Sequence, residues 1–561
     1  MTTDPTPADV IVLAGRVITM AGTDPAGPAA IAVQDGKVLA VVSRQDADKY
    51  TGPDTRIVNA GSRTVMPGFV DPHAHSEVAA RTLYLTVDCR APECATIPDV
   101  LARLTEALPY ARDGWIVGQA NLFFDQKLAE QRFPTREELD SVSTDVAIAL
   151  RCGGHITVLN SRGLEMAGID ANYQAVTHSV TGKPTVERDA RGNPTGVVKE
   201  MDKLLPLPTL DEAELETAIA EGLTSLFTQF GVTTIGEITE SVEGIRLYDR
   251  NLVSGAAAVR MLLYLWVPGT VTLEQACSHR SWLTFESADD MIRVHGVKMF
   301  SDGGYSAASA AMKRPYALDA HSCGEVAMTA EQLAEALRQT ARSGLQLAVH
   351  ANGDRAQEHV CAAFADERAN LPIGAPKPRV EHAGNFLPDY EEGTAAWRKA
   401  GIIPVPQPVF LYNFGEFIPT YVGDYANSGQ FSFRKLLDDG WPISGSSDVW
   451  IGSEQQQTNP FFSIACCVRR RSFHGHPIEP DQAVSVLEAI KMHTLNAAAA
   501  MGVEDSRGSI EPGKLADFIV VDRDPLSCPE EEIASIRVEQ VFIGGELVYA
   551  AQEVRQGHLT A

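Results

Sequence analysis

Two histidines, His73 and His75, stand one residue apart in the stretch VMPGFVDPHAHSE, where an apolar run ends. In a strand, residues i and i+2 point to the same face, so both imidazoles could bind one metal ion. A pair with this spacing also occurs in exposed loops. Its chemistry therefore depends on which other ligands the fold brings to it.

Four more polar residues directly follow apolar runs: Lys298 in GVKMFSDGG, His350 in LAVHANGD, His382 in RVEHAGN and Asp448 in ISGSSD. His350 or His382 alone is typical of a hydrogen-bonded structural residue, but together these two histidines could bind a second metal ion. Asp448 could ligate a metal and accept a proton from its bound water. An Asp after two serines is also typical of a helix N-cap.

Lys298 is the unusual member of this set, because a lysine inside an apolar strand is costly to bury unless it is paired or modified. Carboxylation of its amine by CO2 would create an anionic ligand able to bridge two ions. An ordinary ion-paired lysine would explain the residue equally well. The chemistry of the side chain leaves both interpretations open.

The elements that must position these residues alternate along the chain. Short apolar runs ending in Gly, His, Asp or Asn are separated by amphipathic helices such as TAEQLAEALRQTARSG, which predicts a parallel sheet. A closed (β/α)8 TIM barrel would place all six side chains at the carboxyl ends of its strands. The predicted strands are VMPGFVDPHAH, GVTTIGEIT, RMLLYLWV, HGVKMFSDGG, LQLAVHANGD, PRVEHAGN, IIPVPQP and WPISGSSD.

Both chain ends are rich in short β-branched runs, such as DVIVLAGRVITM and KLADFIVVDRDP, and predict one β-sandwich subdomain built from the two termini. We assign residues 1–65 plus 503–561 to this sandwich and residues 66–502 to the barrel. The region at about 115–208 fits the strand–helix alternation poorly and is predicted to be an insertion.

Composition limits the partners. The chain has 561 residues and a formal charge of −26, which disfavours nucleic acid and anionic membranes. No signal peptide or spanning segment is predicted. The nine cysteines include no CxxC, so we expect no disulfide framework and a cytoplasmic location. A small-molecule substrate and a homodimer are the expected partners.

Together the motifs resemble the amidohydrolase superfamily of metal-dependent hydrolases, and in particular the amidohydrolase family 3 branch, which includes N-substituted formamide deformylases. The likeness covers nearly the whole chain. It runs from MPGFVDPHAH through GVKMFSDG, VHANGDRA, RVEHAG and SGSSD to HTLNAAAAMGVEDSRGSIEPGKLADFIVVDRDP. It implies a distorted (β/α)8 barrel with a β-sandwich formed by both chain ends.

The resemblance also implies roles for the six residues. His73 and His75 would hold the more buried metal, and His350 and His382 would hold the second. Lys298 would be the carboxylated bridge. Asp448 would be both a ligand and the catalytic proton shuttle.

Two further positions resemble substrate-pocket motifs of the family: His155, in RCGGHITVLNS, and Glu200, at the end of PTGVVKE. The family usually has Asp-Gly-His where this chain reads Gly153-Gly154-His155, so position 153 departs from the family pattern. His155 could instead brace the insertion, and Glu200 could be solvated. Aromatic residues near the expected mouth indicate an apolar or aromatic substrate group: Phe123, Phe124, Tyr305, Phe410, Tyr412 and Trp450.

These assignments predict a hydrolase that cleaves a C–N bond of an amide, formamide or related N-acyl compound. Hydroxide formed on the metal would attack the carbonyl, His155 would help polarise it, and Asp448 would move the proton to the departing nitrogen. One or two Zn2+ ions suit mixed His and carboxylate ligation, with Mn2+ or Fe2+ as alternatives. A lactone or cyclic-amide hydrolase using the same site, or a non-catalytic ligand-binding relative, are the competing hypotheses.

Overall fold

The computed structural model describes residues 6–22, 24–176, 183–317 and 319–551. We number the strands β1–β22 and the α-helices α1–α17 along the chain. The α-helices are α1 Ser76–Leu85, α2 Ile97–Ala107, α3 Phe124–Lys127, α4 Arg136–Val142, α5 Ser161–Met166, α6 Glu212–Gly222, α7 Val242–Ser254, α8 Leu273–Cys277, α9 Ala330–Arg342, α10 Asp354–Glu367, α11 Tyr390–Ala400, α12 Val409–Phe414, α13 Ile418–Val422, α14 Phe433–Asp438, α15 Pro460–Arg469, α16 Val486–Met492 and α17 Leu495–Ala500.

Seven parallel strands curve into a nearly closed barrel, in the same order as they occur along the chain. They are β7 Phe69–Ala74, β14 Val232–Thr239, β15 Arg260–Trp266, β16 Ile292–Phe300, β17 Gln346–His350, β18 Arg379–Glu381 and β19 Ile403–Val405. Every residue of β7, β14 and β15 is buried, as expected for parallel strands that are covered on both faces. The predicted TIM barrel is confirmed.

The eighth predicted strand, WPISGSSD, is not a strand, and this part of the prediction is wrong. The segment runs in irregular conformation across the gap between β19 and β7. It bonds to the β7 end through Asp448 N to His73 O at 2.8 Å and His75 N to Val449 O at 3.1 Å. Its serines bond to non-neighbouring groups, including Ser446 Oγ to Pro406 O, so no regular ladder forms.

The helices between the barrel strands follow their capping signals. Thr329 accepts a hydrogen bond from Gln332 N, and the Gln332 side chain accepts one from Thr329 N, which fixes the start of α9. Leu333, Ala336 and Leu337 form the buried face of that helix. The part of the chain that the structure describes contains no helix with the length and apolar character needed to cross a bilayer.

The two chain ends build two small sheets, as predicted. The strands are β1 Val10–Ala14, β2 Arg16–Val17, β3 Ala29–Gln34, β4 Lys37–Ser43, β5 Arg56–Asn59, β6 Thr64–Pro67, β20 Phe518–Val521, β21 Val538–Ile543 and β22 Glu546–Ala550. One sheet has the order β4-β3-β1-β5 and the other β2-β6-β20-β21-β22, so strands from both termini pair directly. Residues 1–5 and 552–561 of the predicted sandwich lie outside the described residues, and its exact boundaries stay a prediction.

The region predicted as an insertion, at about 115–208, supplies five strands of a six-stranded sheet with order β12-β13-β11-β10-β9-β8, and the edge strand β8 precedes that region. Its strands are β8 Val87–Asp88, β9 Trp115–Ala120, β10 Ala147–Cys152, β11 Ile156–Leu159, β12 Thr185–Arg188 and β13 Pro194–Lys199. The nine cysteines of the chain are free thiols in the structure.

Candidate metal centre and pocket

All six side chains predicted as metal ligands line one cavity at the carboxyl end of the barrel. The sequence places His73 near the end of β7 and Lys298 near the end of β16, while His350 is the last residue of β17. His382 directly follows β18 and has φ +72, and Asp448 has φ +46. This left-handed backbone is unusual for non-glycine residues and turns both side chains toward the cavity.

His73, His75 and Asp448 form the tightest cluster. Asp448 Oδ1 lies 3.2 Å from His73 Nε2 and 3.5 Å from His75 Nε2. The three donor atoms all lie within 4.8 Å of one another. Burial, together with nearby positive charge, lowers the pKa of both histidines well below the usual value, so their imidazoles are neutral. Two neutral imidazoles and a carboxylate fit a divalent metal ion.

His350 and His382 form a second pair, with Nδ1 of His350 2.9 Å from Nε2 of His382. Gln407 Oε1 lies 2.7 Å from His382 Nδ1, which makes Nδ1 the donor and leaves Nε2 with its lone pair facing His350. The second oxygen of Asp448, Oδ2, lies 3.9 Å from His382 Nε2. The two oxygens of this carboxylate therefore face the two histidine pairs.

Lys298 is completely buried, with its Nζ 3.1 Å from His73 Nε2 and 4.7 Å from the centre of the Phe300 ring. Burial lowers its pKa, and the charges of Glu381 and Asp448 only partly oppose this. Across the residues placed in the structure, no carboxylate forms an ion pair with it. The amine lies against His73 in the cavity that the other predicted ligands line.

His155 reaches the same cavity from the turn between β10 and β11. Its Nδ1 lies 3.0 Å from Glu200 Oε2, and Glu200 in turn accepts a hydrogen bond of 2.8 Å from Ser309 Oγ. Burial would lower the pKa of His155, but the Glu200 charge and hydrogen bond raise it above the usual value. Glu200 itself does not line the cavity. Glu200 contacts His155 and Ser309, and its contact with substrate stays a prediction.

The glycines before His155 are explained by packing. A Cβ on Gly153 would lie 2.3 Å from Leu122 Cδ2, and a Cβ on Gly154 would lie 2.5 Å from the Trp450 ring. Gly153 also has φ +74. An aspartate at position 153 would therefore need Leu122 to move.

The cavity has a volume of about 680 Å3, counting space that opens to solvent. Beside the histidines, the cavity has an apolar wall that consists of Leu122, Phe123, Phe410, Phe414, Trp450 and Ile451. The Phe410 ring stacks on His382 and the Trp450 ring stacks on His75. Of the aromatic residues expected at the mouth, Tyr305 also lines the cavity. Phe124 is instead buried in the core of the insertion, and Tyr412 packs on Phe462 and Phe473.

Sequence reasoning missed Glu381. Its Oε2 lies 2.5 Å from His73 Nδ1, and its Oε1 accepts a 2.8 Å hydrogen bond from Arg379 Nε. Arg379 also donates to Tyr264 Oη and to the carbonyl of Pro72, both at 2.9 Å. The available signal was a pair of opposite charges at i and i+2 inside an apolar strand, in PRVEHAG.

Comparison with known proteins agrees with this geometry. Residues 56–549 match the family model described as the amidohydrolase family. The N-substituted formamide deformylase of Arthrobacter pascens is 28% identical over 534 residues, covering 93% of this chain and 94% of its own. The putative amidohydrolase YtcJ of Bacillus subtilis is 25% identical and covers 93% and 96%.

Solved structures show the same fold. An uncharacterized metal-dependent hydrolase from Pyrococcus horikoshii superimposes with a TM-score of 0.70 at 21% identity, covering 93% of this chain and 99% of its own. The match to the family model spans most of the sequence, from the chain-end strands through the whole barrel. The chain therefore belongs to the amidohydrolase family.

Proposed function

We propose that this protein is a metal-dependent hydrolase that cleaves the C–N bond of an amide, formamide or related N-acyl small molecule. One observation carries the proposal: Asp448 faces both histidine pairs, and His155 faces the same cavity. The relative named N-substituted formamide deformylase, which aligns over 93% of this chain, supports the substrate class.

The predicted ligands would hold the metal ions that this reaction needs. A divalent ion held by His73, His75 and Asp448, with a second at His350 and His382, would activate water and polarise a carbonyl. Zinc suits this set of imidazoles and carboxylate. Lys298 would complete the set as a carboxylated bridge between two ions.

Asp448 accepts the proton from the attacking water and returns it to the departing nitrogen, so that water and amide yield a carboxylic acid and an amine. His155, kept protonated by Glu200, donates a hydrogen bond to the carbonyl oxygen as negative charge develops there. The apolar wall of the cavity, which includes Leu122, Phe410 and Trp450, holds an uncharged substituent of the substrate.

The test is release of amine from a panel of N-substituted formamides and acetamides, beside lactones and cyclic amides. We expect linear amides to be hydrolysed, activity to disappear after chelation, and zinc to restore it. His75→Ala should lose both metal and activity. His359→Ala is the matched control, because His359 lies on α10 outside the cavity and bonds to Met328 O. Full activity in metal-depleted protein, or hydrolysis of lactones alone, would contradict the proposal.

Two further expectations belong to this proposal. The protein would be a homodimer, which light scattering tests. It would work in the cytoplasm, where free cysteines stay reduced.

A further inference from the structure

A buried ion pair lies behind the apolar wall of the cavity. Lys127 Nζ is 2.5 Å from Glu454 Oε1, and the two side chains are 0% and 5% exposed. Lys127 also donates to Asn413 Oδ1 at 2.7 Å, and Glu454 Oε2 accepts from Asn121 Nδ2 at 2.8 Å. Neither Lys127 nor Glu454 is among the residues that line the cavity.

Lys127 and the two partners of its ammonium come from three separate segments that supply the wall. Lys127 ends α3, which begins directly after Leu122 and Phe123. Asn413 lies on α12 with Phe410 and Phe414, and Glu454 follows the loop that carries Trp450 and Ile451. One charged group therefore joins all three wall segments at a single point.

The rings show how closely these segments meet. The Phe123 and Phe414 centroids are 5.2 Å apart, and those of Phe410 and Phe414 are 4.6 Å apart. Phe123 is held in a left-handed backbone with φ +54. Between the loop and the insertion, Leu122 N also donates to Gly452 O at 3.0 Å. A shift of any of these three segments would change the width of the cavity beside the wall.

Stability does not explain the pair. Removing two charges from water costs more than their mutual attraction commonly returns, and apolar pairs of similar volume are often at least as stable. The Lys127 ammonium lies among aromatic rings, 5.0 Å from the centre of Phe473 and 6.0 Å from that of Phe417. What a hydrogen-bonded ion pair adds over an apolar one is a defined separation between the segments that carry it.

We propose that Lys127 and Glu454 are positioning residues that set the spacing of the three wall segments, and thereby the size of the apolar group that the cavity accepts. The inference deepens the proposed function, because it concerns the same cavity. It makes no use of hydrolysis, so it can be tested separately.

The test measures dissociation constants of two neutral probes, benzyl alcohol and 2-naphthalenemethanol, by isothermal titration calorimetry. We expect the dissociation constants of the two probes to differ at least tenfold in the wild type, and this ratio measures discrimination by size. The double variant Lys127→Met with Glu454→Met should distinguish them less than threefold, with an unchanged or raised urea midpoint. The charge-conserving pair Lys127→Arg with Glu454→Asp has a similar combined length and should restore the tenfold ratio.

Two more variants guard the interpretation. Arg260→Met with Asp517→Met removes a comparably buried ion pair far from the wall, 3% and 4% exposed, and should leave the ratio unchanged. If the Lys127 and Glu454 double variant does not fold, Asn413→Leu keeps the pair but frees α12, and should lower the ratio at least threefold. A double variant or Asn413→Leu protein that discriminates like the wild type would overturn the proposal, as would a wild type that does not discriminate.

Discussion

The carboxylate of Glu381 lies 2.5 Å from Nδ1 of His73, on the side of the imidazole that faces away from Asp448. A carboxylate in this position makes Nδ1 the donor and directs the Nε2 lone pair toward the candidate metal. Arg379 holds Glu381 from behind, and both side chains are completely buried.

Glu381→Gln should weaken metal binding by about 10- to 100-fold, because a neutral amide does not raise the basicity of His73 as the charged carboxylate does. Competition with a fluorescent chelator measures this affinity. Asp517→Asn is the matched control, since Asp517 also bonds a buried arginine, Arg260, at 2.7 Å but lies outside the site. Equal loss of metal affinity in both variants would mean that the effect is general destabilisation.

Glu200→Gln should lower the pKa of His155. The raised pKa of His155 in the folded protein contributes stability that is fully present below its unfolded value of about 6.5 and is lost as pH rises through the folded value. The variant loses this contribution, so its stability should differ from wild type most at low pH. Titration of the His155 ring by NMR gives the pKa directly. An unchanged pKa of His155 in Glu200→Gln would show that Glu200 does not control the protonation of His155.

Lys298 should carry a carboxyl group when metal is bound. Protein grown or incubated with 13C-bicarbonate is expected to show a carbamate carbon signal, and metal analysis should find close to two ions per chain. Lys298→Met should abolish the signal and lower the metal content toward one ion. Lys313→Met, which removes a lysine that has carboxylate partners at 3.4 Å outside this cavity, should change neither. Two ions retained in Lys298→Met would exclude a bridging role.

Gly154→Ala should displace the Trp450 ring, because the added Cβ would lie 2.5 Å from it. Forcing extra volume into a packed region costs about 1–3 kcal/mol, which urea unfolding would show. A change in tryptophan fluorescence should accompany it. Gly374→Ala, at φ +79 with open space around the new Cβ, imposes backbone strain alone and should leave the fluorescence unchanged. Wild-type fluorescence in Gly154→Ala would contradict the packing argument.

The strand ends could be read from the sequence because parallel barrel strands present their last polar residues at one mouth. This rule brought together His73, His350 and the other predicted ligands. It failed for the segment before Asp448, where apolar residues were taken for a strand although their neighbours are serines that bond elsewhere. Burial without periodicity does not distinguish a strand from an irregular buried segment.

Other parts of the site depend on contacts across hundreds of residues, which no local pattern encodes. Glu381 meets His73 over a separation of 308 residues. Tyr412 was expected at the mouth along with Phe410, yet on α12 a spacing of two residues turns it to another face. The ion pair of Lys127 with Glu454 could likewise not be predicted from the sequence, since each residue alone resembles an ordinary charged surface position.

The direct pairing of β6 with β20 has a consequence for synthesis of the chain. β6 ends at Pro67, and β7, the strand that carries His73, begins two residues later. The antiparallel partner of β6 is β20, which starts only at Phe518. A ribosome must therefore make the whole barrel before that edge of β6 can be covered. Nascent chains, and products of late stop codons, leave this edge free to pair with other chains, which makes them clients for chaperones and proteases.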